Sequence, residues 1–133
     1  MMKVLFVCTG NTCRSPLAEA LCAARNPDWE VRSRGLAAYE NAKATVLAAD
    51  MARERGCDLS AHQAHMVLAR DMDWADAVYG LTTAHAATLR TVFPAFADKV
   101  RTMPGGDVPD PLGGTLSDYR ICADRIEKDV AAL

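Results

Sequence analysis

The chain has 133 residues, half of them hydrophobic, and a formal net charge of -2; it is sized for one core and lacks the basic surplus expected of a nucleic-acid binder. No apolar run approaches the about 20 residues that cross a bilayer, so no membrane partner is expected. The five cysteines, Cys8, Cys13, Cys22, Cys57 and Cys122, are odd in number and lack disulfide-framework spacing, which favours a reducing, cytoplasmic setting.

In chain order, Lys3 to Val7 reads as a buried first strand. The opening Met1-Met2-Lys3-Val4-Leu5-Phe6-Val7 has the look of a secretory signal, but the run is too short and Gly10, Asn11 and Arg14 follow at once. A loop from Cys8 to Arg14 comes next, with Gly10 expected to supply its permissive turn. Ser15-Pro16 then open a helix striped by Leu17, Leu21 and Ala24. Glu30 to Ser33 reads as the second strand, and Ala44, Leu47, Ala48 and Met51 recur at helical spacing on a helix ending at Gly56. A connection through Leu68 leads to a third strand around Ala77 to Leu81. Thr83 to Val92 is a helix closed by Pro94, and Lys99 to Thr102 a fourth strand. The loop from Pro104 to Gly114 leads into a last helix with Tyr119, Cys122, Ile126, Val130 and Leu133 on one face. No repeat, low-complexity tract or linker divides residues 1–133, which are read as one domain. The alternation predicts an α/β fold: a three-layer α-β-α sandwich with a four-stranded parallel sheet, binding ligands beyond the strand C-termini, where Cys8 stands.

Cys8 to Arg14 sets a thiol and a guanidinium at the two ends of one tight loop between a strand and a helix. Its backbone N–H groups should converge on one point at the helix N-terminus, which suits a tetrahedral oxyanion such as phosphate. Only a thiolate attacks phosphorus well, and the helix N-terminus, the amides and Arg14 all favour the anion. Arg14 offers a planar fork to two phosphate oxygens that Lys could not reproduce. A Cys and an Arg at this spacing arise by chance in arginine-rich chains; the strand before and the helix after give the pair its meaning. Asp110 lies between Pro109 and Pro111, which stiffen the backbone as a positioned acid requires, whereas Asp107 in Gly-Gly-Asp-Val reads as a flexible turn.

Other chemistry-bearing residues receive plainer readings. Cys57, His62 and His65 have no fourth ligand at suitable spacing, so no metal is expected, and His85 reads as a polar helix residue. Cys22 and Cys122 fall on apolar stripes and read as core, Trp29 and Trp74 as core or strand anchors. Tyr39 either borders the pocket or packs within its loop. Cys13 either traps an oxidised Cys8 as a disulfide or packs beneath the loop.

The run Cys8-Thr9-Gly10-Asn11-Thr12-Cys13-Arg14-Ser15 resembles the phosphate loop of the low-molecular-weight protein tyrosine phosphatase family, most closely its bacterial protein arginine phosphatase branch. Asp110-Pro111-Leu112-Gly113-Gly114 resembles the family's mobile acid loop; Ser33-Arg34-Gly35 and Asn41-Ala42-Lys43-Ala44-Thr45 resemble further segments, and the likeness covers residues 3 to 133. The resemblance implies Cys8 as nucleophile, Arg14 as phosphate clamp and Asp110 as general acid, with Asn11 and Ser15 holding the loop. It implies hydrolysis of a phosphorylated protein through a phosphocysteine, without a cofactor. Two departures bear on the substrate. Leu112 stands where many members have an aromatic residue, and Thr12 where the tyrosine-specific branch carries a bulky aliphatic one, so phosphoarginine is expected to be preferred over phosphotyrosine. Arg34 and His65 also depart from the pattern and are expected at the rim. Two other classes stay open: a thiol-dependent arsenate reductase, although no resolving cysteine lies between Asp58 and Ile121, and a noncatalytic phospho-binding module. Nothing in the sequence specifies an oligomeric state.

Overall fold

Strand β1 (Lys3–Cys8) sets the layers, because its side chains alternate between two cores and both are closed to water. Val4, Phe6 and Cys8 pack with Leu17, Met51 and Ile126, whereas Leu5 and Val7 pack with Met72, Val78 and Leu89. The first face is therefore covered by α1 (Arg14–Arg25), α2 (Val46–Glu54) and α5 (Leu116–Ala131), the second by α3 (Ala69–Trp74) and α4 (Thr83–Val92). The computed structural model describes residues 2–133; Met1, the first residue of the expected domain, lies outside them.

The remaining strands are β2 (Glu30–Gly35), β3 (Ala77–Gly80) and β4 (Val100–Thr102). They pair in the order β2-β1-β3-β4, all parallel, with Val4 opposite both Val31 and Ala77. This is the expected three-layer arrangement. The order reverses at β1, so a crevice opens beyond the ends of β1 and β3, where such sheets bind ligands. Among the described residues no helix is long and apolar enough to cross a membrane.

Local chemistry explains the boundaries. Thr45, Thr82 and Thr115 accept N–H bonds from Ala48, His85 and Asp118 and so cap α2, α4 and α5. Gly56, at φ 77°, ends the α2 segment in the left-handed region. Several expectations are corrected. Helix α1 starts at Arg14 rather than Ser15, and Ala24 faces solvent. Strand β2 runs on to Gly35, β3 stops at Gly80 and β4 begins at Val100. The connection before β3 contains α3, whose start carries no capping side chain; instead the Asp71 carboxylate accepts the Leu68 N–H at 2.8 Å. Helix α4 does end at Val92, as expected, but Pro94 then opens a 3-10 helix, Pro94–Lys99.

Candidate active site

Between the end of β1 and the start of α1, residues 9–13 turn the chain. The carbonyls of Cys8, Thr9 and Thr12 accept N–H bonds from Leu36, Ala37 and Thr45 at 2.9, 2.9 and 3.0 Å. That of Asn11 accepts from His62 Nε2 at 2.7 Å. In a trans peptide the following N–H points the opposite way. The amides of Thr9, Gly10, Thr12 and Cys13 thus point away from those partners, and the same residues line, with Cys8, Arg14, Asp110 and Leu112, a cavity of about 110 Å³. Cys13 provides no side-chain cap to α1, which leaves that helix's first N–H groups for an anion.

Asn11, not Gly10, takes the left-handed conformation, at φ 56°. Asparagine tolerates this region, and here its side chain is fully engaged. Nδ2 donates to Ser15 Oγ at 2.8 Å and Ser33 Oγ at 2.9 Å, while Oδ1 accepts from His65 N at 3.0 Å. Ser15 Oγ, an acceptor from Asn11 and 3.5 Å from Arg34 O, lies 2.9 Å from Cys8 Sγ, within hydrogen-bond reach of the sulfur. The glycine that the loop does require is Gly35 on β2, where a Cβ would sit 2.7 Å from Thr9 O and 2.9 Å from the Ala38 Cβ. Gly35→Ala is expected to push the loop off β2 and destabilise the protein by about 1–3 kcal/mol, with weaker phosphate binding; urea unfolding and calorimetric titration of phosphate check this.

Arg14 is buried, and its guanidinium is aimed from two sides. Nη1 donates to Val108 O at 3.0 Å, and Nη2 lies 3.6 Å from Asp110 Oδ2. The acid-bearing loop is itself fastened to the end of β3, because Val108 N donates to Leu81 O at 2.9 Å. Asp110 is half-exposed, with Oδ1 accepting from Leu112 N at 3.1 Å, so one carboxylate oxygen is held and the other faces Arg14. The structure thus gathers Cys8, Arg14 and Asp110, with Leu112 exposed at the mouth. Asp107 is no free turn: its Oδ1 accepts from Thr83 N and Oγ1, both at 2.7 Å, and these bonds hold its carboxyl below the usual range.

Cys13 is buried, with Sγ 3.3 Å from Tyr119 OH and 3.5 Å from Thr45 Oγ1. Burial and that thiol contact push Tyr119 up to about 12. Burial likewise raises Cys22 to about 11 and Cys122 to about 12, as suits core thiols. Arg34 and His65 do not reach the rim. Arg34 Nε lies 3.3 Å from Asp71 Oδ1 and His65 Nδ1 2.8 Å from Glu40 Oε2, on a separate cavity that also includes Met66 and Arg70. Tyr39 is 87% exposed, so it neither packs nor lines the pocket. Trp29 and Trp74 rest half-buried against the two cores, Trp74 beneath the Arg32 guanidinium. Among the described residues no three His, Cys, Asp or Glu side chains are grouped for a metal ion.

Two histidines beside the loop carry no signal in a residue-by-residue reading. His62 bonds Asn11 O, and His85 Nε2 lies 2.9 Å from Thr9 Oγ1. The rule that parallel sheets bind ligands beyond their strand ends would have drawn attention to His85, in the first turn after β3.

The family model described as low molecular weight phosphotyrosine protein phosphatase matches residues 3–133. A protein-arginine-phosphatase of Geobacillus stearothermophilus is 38% identical over 132 residues, covering 94% of this chain and 88% of the relative. A low molecular weight protein-tyrosine-phosphatase, PtpB, of Staphylococcus aureus is 33% identical over 127 residues, covering 89% and 86%. Among solved structures, a YwlE arginine phosphatase in a cysteine-to-serine mutant with a phosphorylated active-site serine superposes with a TM-score of 0.90 at 37% identity, over 97% of this chain and 91% of that one.

Proposed function

This chain belongs to the low molecular weight phosphotyrosine protein phosphatase family, and from that premise we propose that it hydrolyses phosphoarginine in proteins through a phosphocysteine on Cys8. The observation that carries this reading is one cavity lined by the Cys8 thiol, the turn residues Thr9, Gly10, Thr12 and Cys13, Arg14 and Asp110. Cys8 Sγ attacks phosphorus in line, forming an S–P bond as the P–N bond to the arginine breaks. The amides and the Arg14 fork hold the three equatorial oxygens, and the Asp110 carboxyl protonates the departing nitrogen. Asp110, now a carboxylate, takes a proton from water as that water attacks phosphorus; the S–P bond breaks and the thiolate returns with release of inorganic phosphate. Ser15 Oγ, 2.9 Å from the sulfur, can donate to it as the S–P bond breaks.

The substrate assignment rests on the arginine-phosphatase relatives and on two residues of the wall. Thr12 lines the cavity, and among the described residues its hydroxyl has only the Cys13 sulfur near it, at 3.9 Å, which leaves it free for a guanidinium. Burying that group without partners would cost about 1–3 kcal/mol, so a hydroxyl and the Asp110 carboxylate favour it over a phenyl ring. Leu112, 63% exposed, offers no aromatic stacking surface. Phosphotyrosine is the second reading, favoured by the tyrosine-phosphatase relative. Comparing kcat/KM for both substrates on wild type and Thr12→Ile tests the choice. Wild type should favour phosphoarginine, and the substitution should move preference toward phosphotyrosine by about tenfold; a wild type that already favours phosphotyrosine contradicts the assignment.

The substrate is a phosphorylated protein, and the setting is a reducing cytoplasm, where a nucleophilic thiol survives. We also propose Cys13 as a redox partner of Cys8: peroxide converts the Cys8 thiol to a sulfenic acid with release of water, and Cys13, on leaving its contacts with Tyr119 and Thr45, captures it as a disulfide with loss of a second water. Peptide mapping after peroxide treatment should find the Cys8 to Cys13 link and recovery of activity with thiols; overoxidised Cys8 without the link contradicts it.

A further inference from the structure

Of the three histidines, His85 alone is buried, 6% exposed, and its ring is satisfied on one side only. Nε2 meets Thr9 Oγ1 at 2.9 Å, while Nδ1 is buried with no partner. The surroundings explain its charge. Burial, reinforced by the Arg14 guanidinium and opposed by Asp110 and Asp107, pushes His85 down to about 4. The ring is neutral through the neutral range, and one nitrogen carries the proton. A proton on Nε2 would leave only a bare acceptor at Nδ1, whereas a proton on Nδ1 would bury an N–H without a partner, so the Nε2–H tautomer is the one the site favours. Nε2–H then donates to Thr9 Oγ1, and the hydroxyl must turn its own hydrogen elsewhere. Among the described residues Thr9 Oγ1 has no second partner, and Thr9 lines the cavity over Cys8.

We propose that His85 is a positioning residue, whose Nε2–H fixes the Thr9 hydroxyl so that it donates to the phosphoryl group held above Cys8. The proposal rests on the reading of Cys8 as nucleophile. It assigns work to a residue following β3, far along the chain from the loop it braces. A hydroxyl aimed at phosphoryl oxygens acts most as charge builds on them, so its loss lowers kcat more than it raises KM. A ring that stays neutral down to about pH 5 also presents no second acid to compete with Asp110.

The test uses the intact protein and a chromogenic aryl phosphate, with kcat and KM measured between about pH 5 and 8. His85→Phe keeps the ring volume without nitrogen, His85→Gln sets an amide where Nε2 stood, and Thr9→Val removes the hydroxyl. Thermal unfolding is followed for each, and ¹⁵N NMR of the wild-type imidazole reads its tautomer. Loss of one direct donor in such a site costs about 10²–10³, so His85→Phe and Thr9→Val should each lower kcat about tenfold or more, with KM within about twofold. Gln should recover most of the rate, the double variant should be no slower than the worse single one, and Nε2 should be the protonated nitrogen. Unchanged kcat in Thr9→Val, a His85→Phe loss that Gln does not rescue, or a proton on Nδ1 would each overturn the proposal; Thr9→Val keeps the test decisive if His85→Phe fails to fold. An active Cys8→Ser protein would instead remove the reading beneath it, whereas inactive Cys8→Ser beside unaffected Thr9→Val would reject the role of His85 alone.

Discussion

Cys8→Ser is expected to remove turnover while leaving the fold and much of the phosphate affinity in place. The hydroxyl fits the space of the thiol at the end of β1, and the residues that shape the cradle, Asn11, Ser15, Ser33 and Gly35, are untouched. A serine hydroxyl is a poor nucleophile at neutral pH without a base, and the group beside it, the Ser15 hydroxyl, is too weak a base to activate it. Turnover of a chromogenic aryl phosphate and calorimetric titration of inorganic phosphate check both halves. Residual activity above about a tenth of wild type would reject Cys8 as the nucleophile, since that margin is only about 1.4 kcal/mol in the barrier.

The second large effect is that of Asp110→Asn, and its size should depend on the leaving group. The amide cannot donate a proton to a departing nitrogen or alkoxide, so poor leaving groups should lose about 10²–10⁴ in rate. Good aryl leaving groups depart without help, and their first step should be nearly preserved. The substitution also removes the carboxylate that faces the Arg14 Nη2 at 3.6 Å, whereas the Val108 carbonyl still holds Nη1 at 3.0 Å. Arg14 therefore stays aimed at the cavity. Phosphate binding should be equal or tighter in the variant, because an anion no longer displaces a carboxylate from the guanidinium. Equal losses in kcat/KM, which reports the first step alone, across a series of leaving groups would argue against an acid role.

How far the sequence disclosed this arrangement depended on the range of the interaction behind each feature. Strand β1, the stripe of α5 and the span of α4 follow from periodicity and from caps adjacent in the chain, and these were legible. Helix α3 was not, because Leu68 is no capping residue and the carboxylate that serves the start comes from Asp71 inside the helix. Glycine's freedom pointed to Gly10 as the turning residue. The structure gives that conformation to Asn11, whose side chain is held by Ser15 and Ser33, one on the next helix and one across on β2. Cys8 and Arg14 were easy to associate because one loop holds both, and Asp110 stood out between two prolines. His85 and Thr9 meet only after β3 is laid beside β1, so neither residue announces the contact by its neighbours in sequence. Arg34 and His65 were expected at the rim, yet each is turned away by a carboxylate, Asp71 and Glu40, that no local pattern connects to it.

The central claim is that phosphate passes through the Cys8 sulfur, and Asp110→Asn offers the means to see it. With a good aryl leaving group, phosphorylation of the enzyme proceeds while hydrolysis, deprived of its base, slows, so the intermediate should accumulate. Rapid quenching of this variant during turnover of an aryl phosphate, followed by ³¹P NMR and peptide mass mapping, reads the bond directly. The expected result is a phosphorus resonance of the S-phosphate type and one added phosphoryl group on the peptide containing Cys8. Turnover with no phosphorylated peptide, or with the phosphoryl group on another residue, would contradict the account.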